Sequence, residues 1–102
     1  MNFEIAPKST ETRLNWFDAK LYCFALDIDG KTGWRLPTMT ELNVIYESDN
    51  DFDGDFYWTS TTGNLHNSNS SNAWCQDLSS GYQSPSIKSH NGHFVRAVRD
   101  LT

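Results

Sequence analysis

A strand must end and a helix must begin within the run Trp34-Arg35-Leu36-Pro37-Thr38-Met39-Thr40-Glu41-Leu42, and this junction constrains the fold more than any other stretch of the chain. Pro37 fixes its own φ, lacks a backbone donor and pushes Leu36 towards extended geometry, so residues 34–36 read as a short strand that stops there. Thr38 is then placed as an N-cap. Its hydroxyl can accept from the Glu41 N–H while the Glu41 carboxylate accepts from the Thr38 N–H, a capping box ahead of the apolar positions Leu42, Ile45 and Tyr46. The spacing predicts a helix from Thr38 to about Glu47 or Ser48.

Upstream, Phe3 and Ile5 share one face of a short opening strand, closed by Pro7 and the polar run Lys8-Ser9-Thr10-Glu11-Thr12, and a strand so close to the terminus is expected to pair with the last one. Asn15 is a good N-cap for a first helix, with Asp18 in its first turn where the helix dipole favours an acid. Trp16, Ala19, Cys23 and Leu26 form one apolar stripe, and Phe17, Leu21, Phe24 and Ile28 a second. Two stripes predict a helix buried on two sides, with Cys23 inside the first as a small buried hydrophobe. Gly30 is placed as the left-handed residue that ends this helix, and Gly33 frees the turn into Trp34.

After the second helix the pattern changes to strands. Phe56-Tyr57-Trp58-Thr59-Ser60-Thr61-Thr62 is aromatic and β-branched; residues 73–78 make a second strand, turned by Ser79-Ser80-Gly81 into a third over 82–88; Phe94-Val95-Arg96-Ala97-Val98-Arg99 alternates as a final one. Neither face of that final strand is cleanly apolar, so its burial is expected to be uneven. Arg35 and Arg96, flanked by apolar residues, need acceptors within the protein, because an unpaired buried charge is costly. Helices first and strands after make an α+β fold: two helices packed on a small, mainly antiparallel twisted sheet with long polar loops. Its 102 residues suit a single domain, 1–102, and 14% aromatic content points to a core built on rings, with Trp34, Trp58 and Trp74 against the first helix.

Eight basic against thirteen acidic residues give a net charge of −5, which argues against nucleic acid or an anionic membrane as partner. No stretch has the length and hydropathy of a signal peptide or a membrane span, so membrane insertion is not expected; a cytoplasmic or virion-associated location is, or an extracellular one if the domain is cut from a larger secreted parent. Cys23 and Cys75 permit one disulfide without requiring it.

Two stretches suggest ligands. In Asp49-Asn50-Asp51-Phe52-Asp53-Gly54-Asp55, the alternating carboxylates of Asp49, Asp51, Asp53 and Asp55 and a glycine at the sixth place match the first half of a calcium loop, but the twelfth position is Ser60 rather than a bidentate Glu. Calcium at this turn is the one cofactor the sequence suggests, against a solvated acidic turn. Residues 63–72 contain a single apolar side chain, and with the return segment 82–93 they present amides, hydroxyls, imidazoles and a tyrosine. Asn64, His66, Asn69, Tyr82, Gln83 and His90 are the candidate ligand-binding residues, with Tyr82 as aromatic anchor and His66 and His90 adding a pH dependence near 6 to 7. No Ser-His-acid or Cys-His arrangement is defensible, since His66, His90 and His93 all fall in or beside polar loops; no catalytic residue and no enzymatic activity are expected.

Five blocks carry a family resemblance: Trp16-Phe17-Asp18-Ala19-Lys20 with Tyr22-Cys23; Gly33-Trp34-Arg35-Leu36-Pro37-Thr38 with Glu41-Leu42; Tyr57-Trp58-Thr59-Ser60-Thr61; Ala73-Trp74 and Gly81; and Val95-Arg96-Ala97-Val98-Arg99. In this order they resemble the Legionella collagen-like adhesin C-terminal domain family. The resemblance implies a variant of the C-type lectin-like fold and a non-enzymatic binding module for a protein or glycan, as in adhesins and phage receptor-binding proteins. It fixes no ligand. Alternatives are a small intracellular, phage-encoded protein that binds and modulates a host protein, and a virion decoration protein; homo-oligomerisation is open. Ala97 stands where many members have a cysteine placed to bridge the one after the first-helix tyrosine, so that bridge is absent, and the calcium-binding triplets of true C-type lectins are missing.

Overall fold

The structure, a computed structural model, describes residues 2–63 and 71–101. Its elements run β1 (Phe3–Ile5), β2 (Thr12–Arg13), α1 (Trp16–Ala25), β3 (Trp34–Arg35), α2 (Met39–Tyr46), β4 (Phe56–Thr62), β5 (Asn72–Asp77), β6 (Gln83–Ile87), β7 (Phe94–Val95) and β8 (Val98–Asp100), with a 3-10 turn at Lys8–Thr10. The α+β class holds, but the single sheet expected from the sequence is two. One has the order β1-β8-β3, the other β2-β7-β4-β5-β6. All pairings are antiparallel except the short contact of β4 with β7.

The two sheets meet where the final alternating segment divides into β7 and β8. Arg96 and Ala97, between them, are both buried. A guanidinium in the interior cannot continue a sheet face, and here it leaves the ladder to bond the Ala6 carbonyl at 2.8 Å while the chain crosses from one sheet to the other. The terminal strands pair as anticipated, Phe3 opposite Asp100 and Ile5 opposite Val98. Strand β2, at the end of the expected polar loop, is added to the edge of the larger sheet against β7, Thr12 opposite Val95.

β4 separates two cores, because successive side chains on a strand point to opposite faces. Trp58 enters a cluster with Trp16, Ala19, Cys23, Trp34, Leu36 and Val95 beneath α1. Its neighbour Tyr57 enters one with Leu42, Ile45, Phe3 and Val98 beneath α2. Burial on both faces is why this strand reads as nearly continuous aromatic residues. The buried tryptophans are Trp16, Trp34 and Trp58, not the expected trio, since Trp74 is only partly buried. Each has its indole N–H satisfied by a carbonyl, from Thr59, Lys31 and Leu14 respectively. Cys23 and Cys75 are both free and buried.

The strand-to-helix junction at Pro37 carries the capping box that its spacing predicts. Thr38 caps α2, its hydroxyl accepting from the Glu41 N–H at 3.1 Å while a Glu41 oxygen accepts from the Thr38 N–H at 2.8 Å. Both Glu41 oxygens also accept from Arg35, at 2.7 and 2.8 Å, and Arg35 reaches Asp100 at 2.6 Å. The Pro37 carbonyl accepts from the Ser60 N–H, which ties the junction to β4. Asn15 caps α1 by accepting from the Asp18 N–H. That helix ends at Ala25, before Gly30, whose positive φ of 84° serves instead a tight turn closed by hydrogen bonds between Ile28 and Lys31.

Candidate binding face on the first helix

Helix α1 does not bury both of its apolar stripes. Trp16, Ala19 and Cys23 face the sheet, but Phe17, Leu21 and Phe24 are 56%, 67% and 82% exposed. At about 100° per residue these three lie within about 60° of one another on the outer side of the helix, a continuous apolar strip rather than scattered surface residues. The cause is the number of layers. A helix laid on one sheet has only one side to bury, and among the described residues no element covers the other.

Beside the strip lies an open cleft of about 200 Å³ lined by Lys20, Phe24, Trp34, Arg35, Leu36 and Ser60. Its walls follow from the junction: Trp34 and Leu36 come from the β3 segment held by Pro37, and Ser60 from the strand hydrogen-bonded to Pro37. Trp16, itself buried, borders the strip. Phe17 packs edge-on against its indole, and the ammonium groups of Lys20 and Lys88 stand over the same ring at 4.7 and 4.5 Å. Lys88 is fixed there because its carbonyl accepts from the Trp16 N–H and its N–H donates to Ser71.

Of the residues singled out from sequence, those that the structure describes fall at two places. Asn64, His66 and Asn69 lie outside the described residues. Tyr82 is 63% exposed, at the turn between β5 and β6, and Gln83 follows it opposite Gln76. The flanks of the polar loop, Gly63 and Ser71, adjoin the other end of that hairpin, where Asn72 pairs with Ile87. Four residue steps along the strand, roughly 13 Å, separate these rows. His90 is exposed and belongs to the Ile87 end, its N–H donating to the Ile87 carbonyl. Tyr82 and Gln83 are thus at one end of the hairpin, and His90 with the loop flanks is at the other.

His93 is not the solvated imidazole expected. Its ring packs against Trp58 at 4.8 Å and Phe56 at 5.6 Å, and its Nε2 is 2.9 Å from the Ser86 hydroxyl and 3.9 Å from the Cys75 sulfur. Burial, with a smaller contribution from nearby His90, lowers its pKa to about 4, while burial raises the Cys75 thiol to about 11. Such a pair is a neutral imidazole beside a neutral thiol, the reverse of what an activated cysteine requires.

Three of the four aspartates of the acidic turn are matched by cations of the chain itself. Asp51 bonds Arg96 at 2.6 Å, Asp53 bonds Lys8 at 3.0 Å and Asp55 reaches Arg13 at 3.4 Å. Among the described residues no group of three or more His, Cys, Asp or Glu side chains is placed to hold a metal ion.

The outer strip of α1 was visible in the sequence as a second stripe, but periodicity registers apolar residues without saying which stripe a sheet will cover. No helix among the described residues is long and apolar enough to cross a membrane. A search of curated proteins finds no match to the chain. The Lcl C-terminal domain family model matches residues 4–99, and the chain belongs to that family, a domain type associated with adhesins.

Proposed function

We propose that this domain is a non-enzymatic binding module that engages a protein through the outer face of α1 and the cleft beside it. The observation that carries the reading is the exposure of Phe17, Leu21 and Phe24 at helical spacing. Exposed apolar surface of this kind destabilises nothing in the folded chain but lowers solubility, and burying it against a partner is worth about 25 cal/mol per Å². Affinity would come from the strip and the cleft, and orientation from the polar groups at its rim. The lectin-like arrangement implied by the family resemblance is the scaffold proposed beneath this face, and its glycan ligands are the competing reading for the hairpin end that carries Tyr82.

The test is a selection of random displayed peptides on immobilised domain, run in parallel with a glycan array, for wild type, Leu21→Glu/Phe24→Glu and Tyr82→Ala. Exposed helix positions tolerate these changes, so all three proteins should melt alike. Peptides enriched on wild type and on Tyr82→Ala but not on the helix variant are expected. Equal enrichment on the helix variant, or glycan binding that depends on Tyr82, would overturn the assignment of the face.

A further inference from the structure

Of the eight Lys and Arg side chains, Lys8, Arg13, Lys31, Arg35, Arg96 and Arg99 are paired with carboxylates. The remaining two, Lys20 and Lys88, have no carboxylate partner among the described residues, and both stand over the indole of Trp16. In a chain with net charge −5 the unmatched cations are therefore not scattered. Lys20 lies on α1 beside the apolar strip and lines the cleft, and Lys88 joins it over Trp16, whose ring touches Phe17. The acid on the helix itself, Asp18, is turned towards its capping partner Asn15, whose amide donates to it at 3.0 Å.

We infer that the occupant of this face is an acidic amphipathic segment of a partner protein. Its apolar side chains lie along Phe17, Leu21 and Phe24, one of them enters the cleft against Trp34 and Leu36, and its carboxylates meet Lys20 and Lys88. This rests on the binding face proposed above and adds the chemistry of what binds there. Two considerations choose a peptide acid over other anions. The cleft holds about 200 Å³, room for one large apolar side chain, and its floor is apolar. Arg35, the other cation at its rim, is already occupied by Glu41 and Asp100, so the face offers isolated charges beside hydrophobic surface rather than a dense basic patch. A basic partner is opposed by the two ammonium groups and by nothing else on the face, which makes them the specificity-determining residues.

The experiment uses three fluorescein-labelled helical peptides with Leu and Phe at i, i+3 and i+7, identical except that the flanking positions carry Glu, Gln or Lys. Fluorescence polarisation at low ionic strength is read for wild type, Lys20→Glu/Lys88→Glu and Leu21→Glu/Phe24→Glu. With two exposed pairs at stake, the Glu peptide should bind wild type about fivefold tighter than the Gln peptide, and the advantage should shrink with added salt. The lysine-reversed variant should prefer the Lys peptide. Equal binding of Glu and Gln peptides, abolished by the helix variant, would overturn the acidic class while leaving the binding face standing. Binding unaffected by the helix variant would overturn both. Anionic or zwitterionic lipid vesicles that bind wild type and not the helix variant would replace the peptide with a bilayer. Self-association by sedimentation that is lost in the helix variant would make the occupant a second copy.

Discussion

The Arg96 guanidinium bonds the Glu11 carboxylate at 3.1 Å across 85 residues of chain, with both side chains nearly inaccessible to water. This pair closes the point where the chain leaves one sheet for the other. Glu11 is shared further: its other contacts are the Tyr57 hydroxyl, which donates to it at 2.8 Å, and Lys8 at 3.2 Å. The Tyr57 oxygen in turn accepts from the Asp53 N–H, so the acidic turn, the buried arginine and the second core are one network.

Removing one member of that network should cost more than removing two. Arg96→Met leaves the buried Glu11 carboxylate with the half-exposed Lys8 as its remaining charge partner and is expected to lower stability by about 3 kcal/mol, whereas Arg96→Met/Glu11→Gln should recover a large part of that loss. Denaturant unfolding of both variants measures this. Equal destabilisation in the single and double variants would show that packing, not charge, holds the crossover.

His93 gives the fold a pH dependence. Its folded pKa, about 4, lies below the ordinary value of 6.5, so between these values the unfolded chain binds the proton and the folded one does not. The stabilisation is complete above pH 6.5 and is lost as pH falls towards 4. Unfolding free energy should drop by about 2 kcal/mol between pH 6.5 and 5 in wild type, and His93→Gln should flatten that segment of the profile. An unchanged slope in the variant would place the titration elsewhere.

Both thiols should be inert in the native protein. Burial raises Cys23 to about 12 and Cys75 to about 11, and neither is at the surface. At pH 8 a thiol reagent should label neither within the time in which it fully labels the denatured chain. Rapid labelling of Cys75 alone would mean that the β5–β6 hairpin opens locally.

Millimolar Ca²⁺ should leave the melting temperature unchanged, because Asp51, Asp53 and Asp55 are committed to Arg96, Lys8 and Arg13. A calcium-dependent rise that disappears in Asp51→Asn/Asp53→Asn would show instead that the ion displaces these cations.

Residues close in the chain determined their own structure. The Thr38–Glu41 capping box, the Asn15 cap and the aromatic strand Phe56–Thr62 were all legible, because each depends on partners within a few positions or on strand alternation. Pairing of the terminal strands followed from their place in the chain, and the need of Arg35 and Arg96 for internal acceptors followed from their apolar neighbours. What the sequence could not say was which partners arrive from afar. Val95 and Val98 look like one strand until the buried Arg96 finds Ala6 and Glu11 at the other end of the chain and splits it between two sheets. The aspartates of the acidic turn look unpaired until Lys8, Arg13 and Arg96 are folded against three of them. The polar residues of the hairpin look like one surface until strand register sends Tyr82 to one end and His90 to the other. The stripe of Phe17, Leu21 and Phe24 looks like core until one sheet, able to cover only one side of α1, takes Trp16, Ala19 and Cys23 and leaves the other to solvent. Charge pairing, register and layer count are properties of the assembled chain, and they alone decided where its candidate binding face lies.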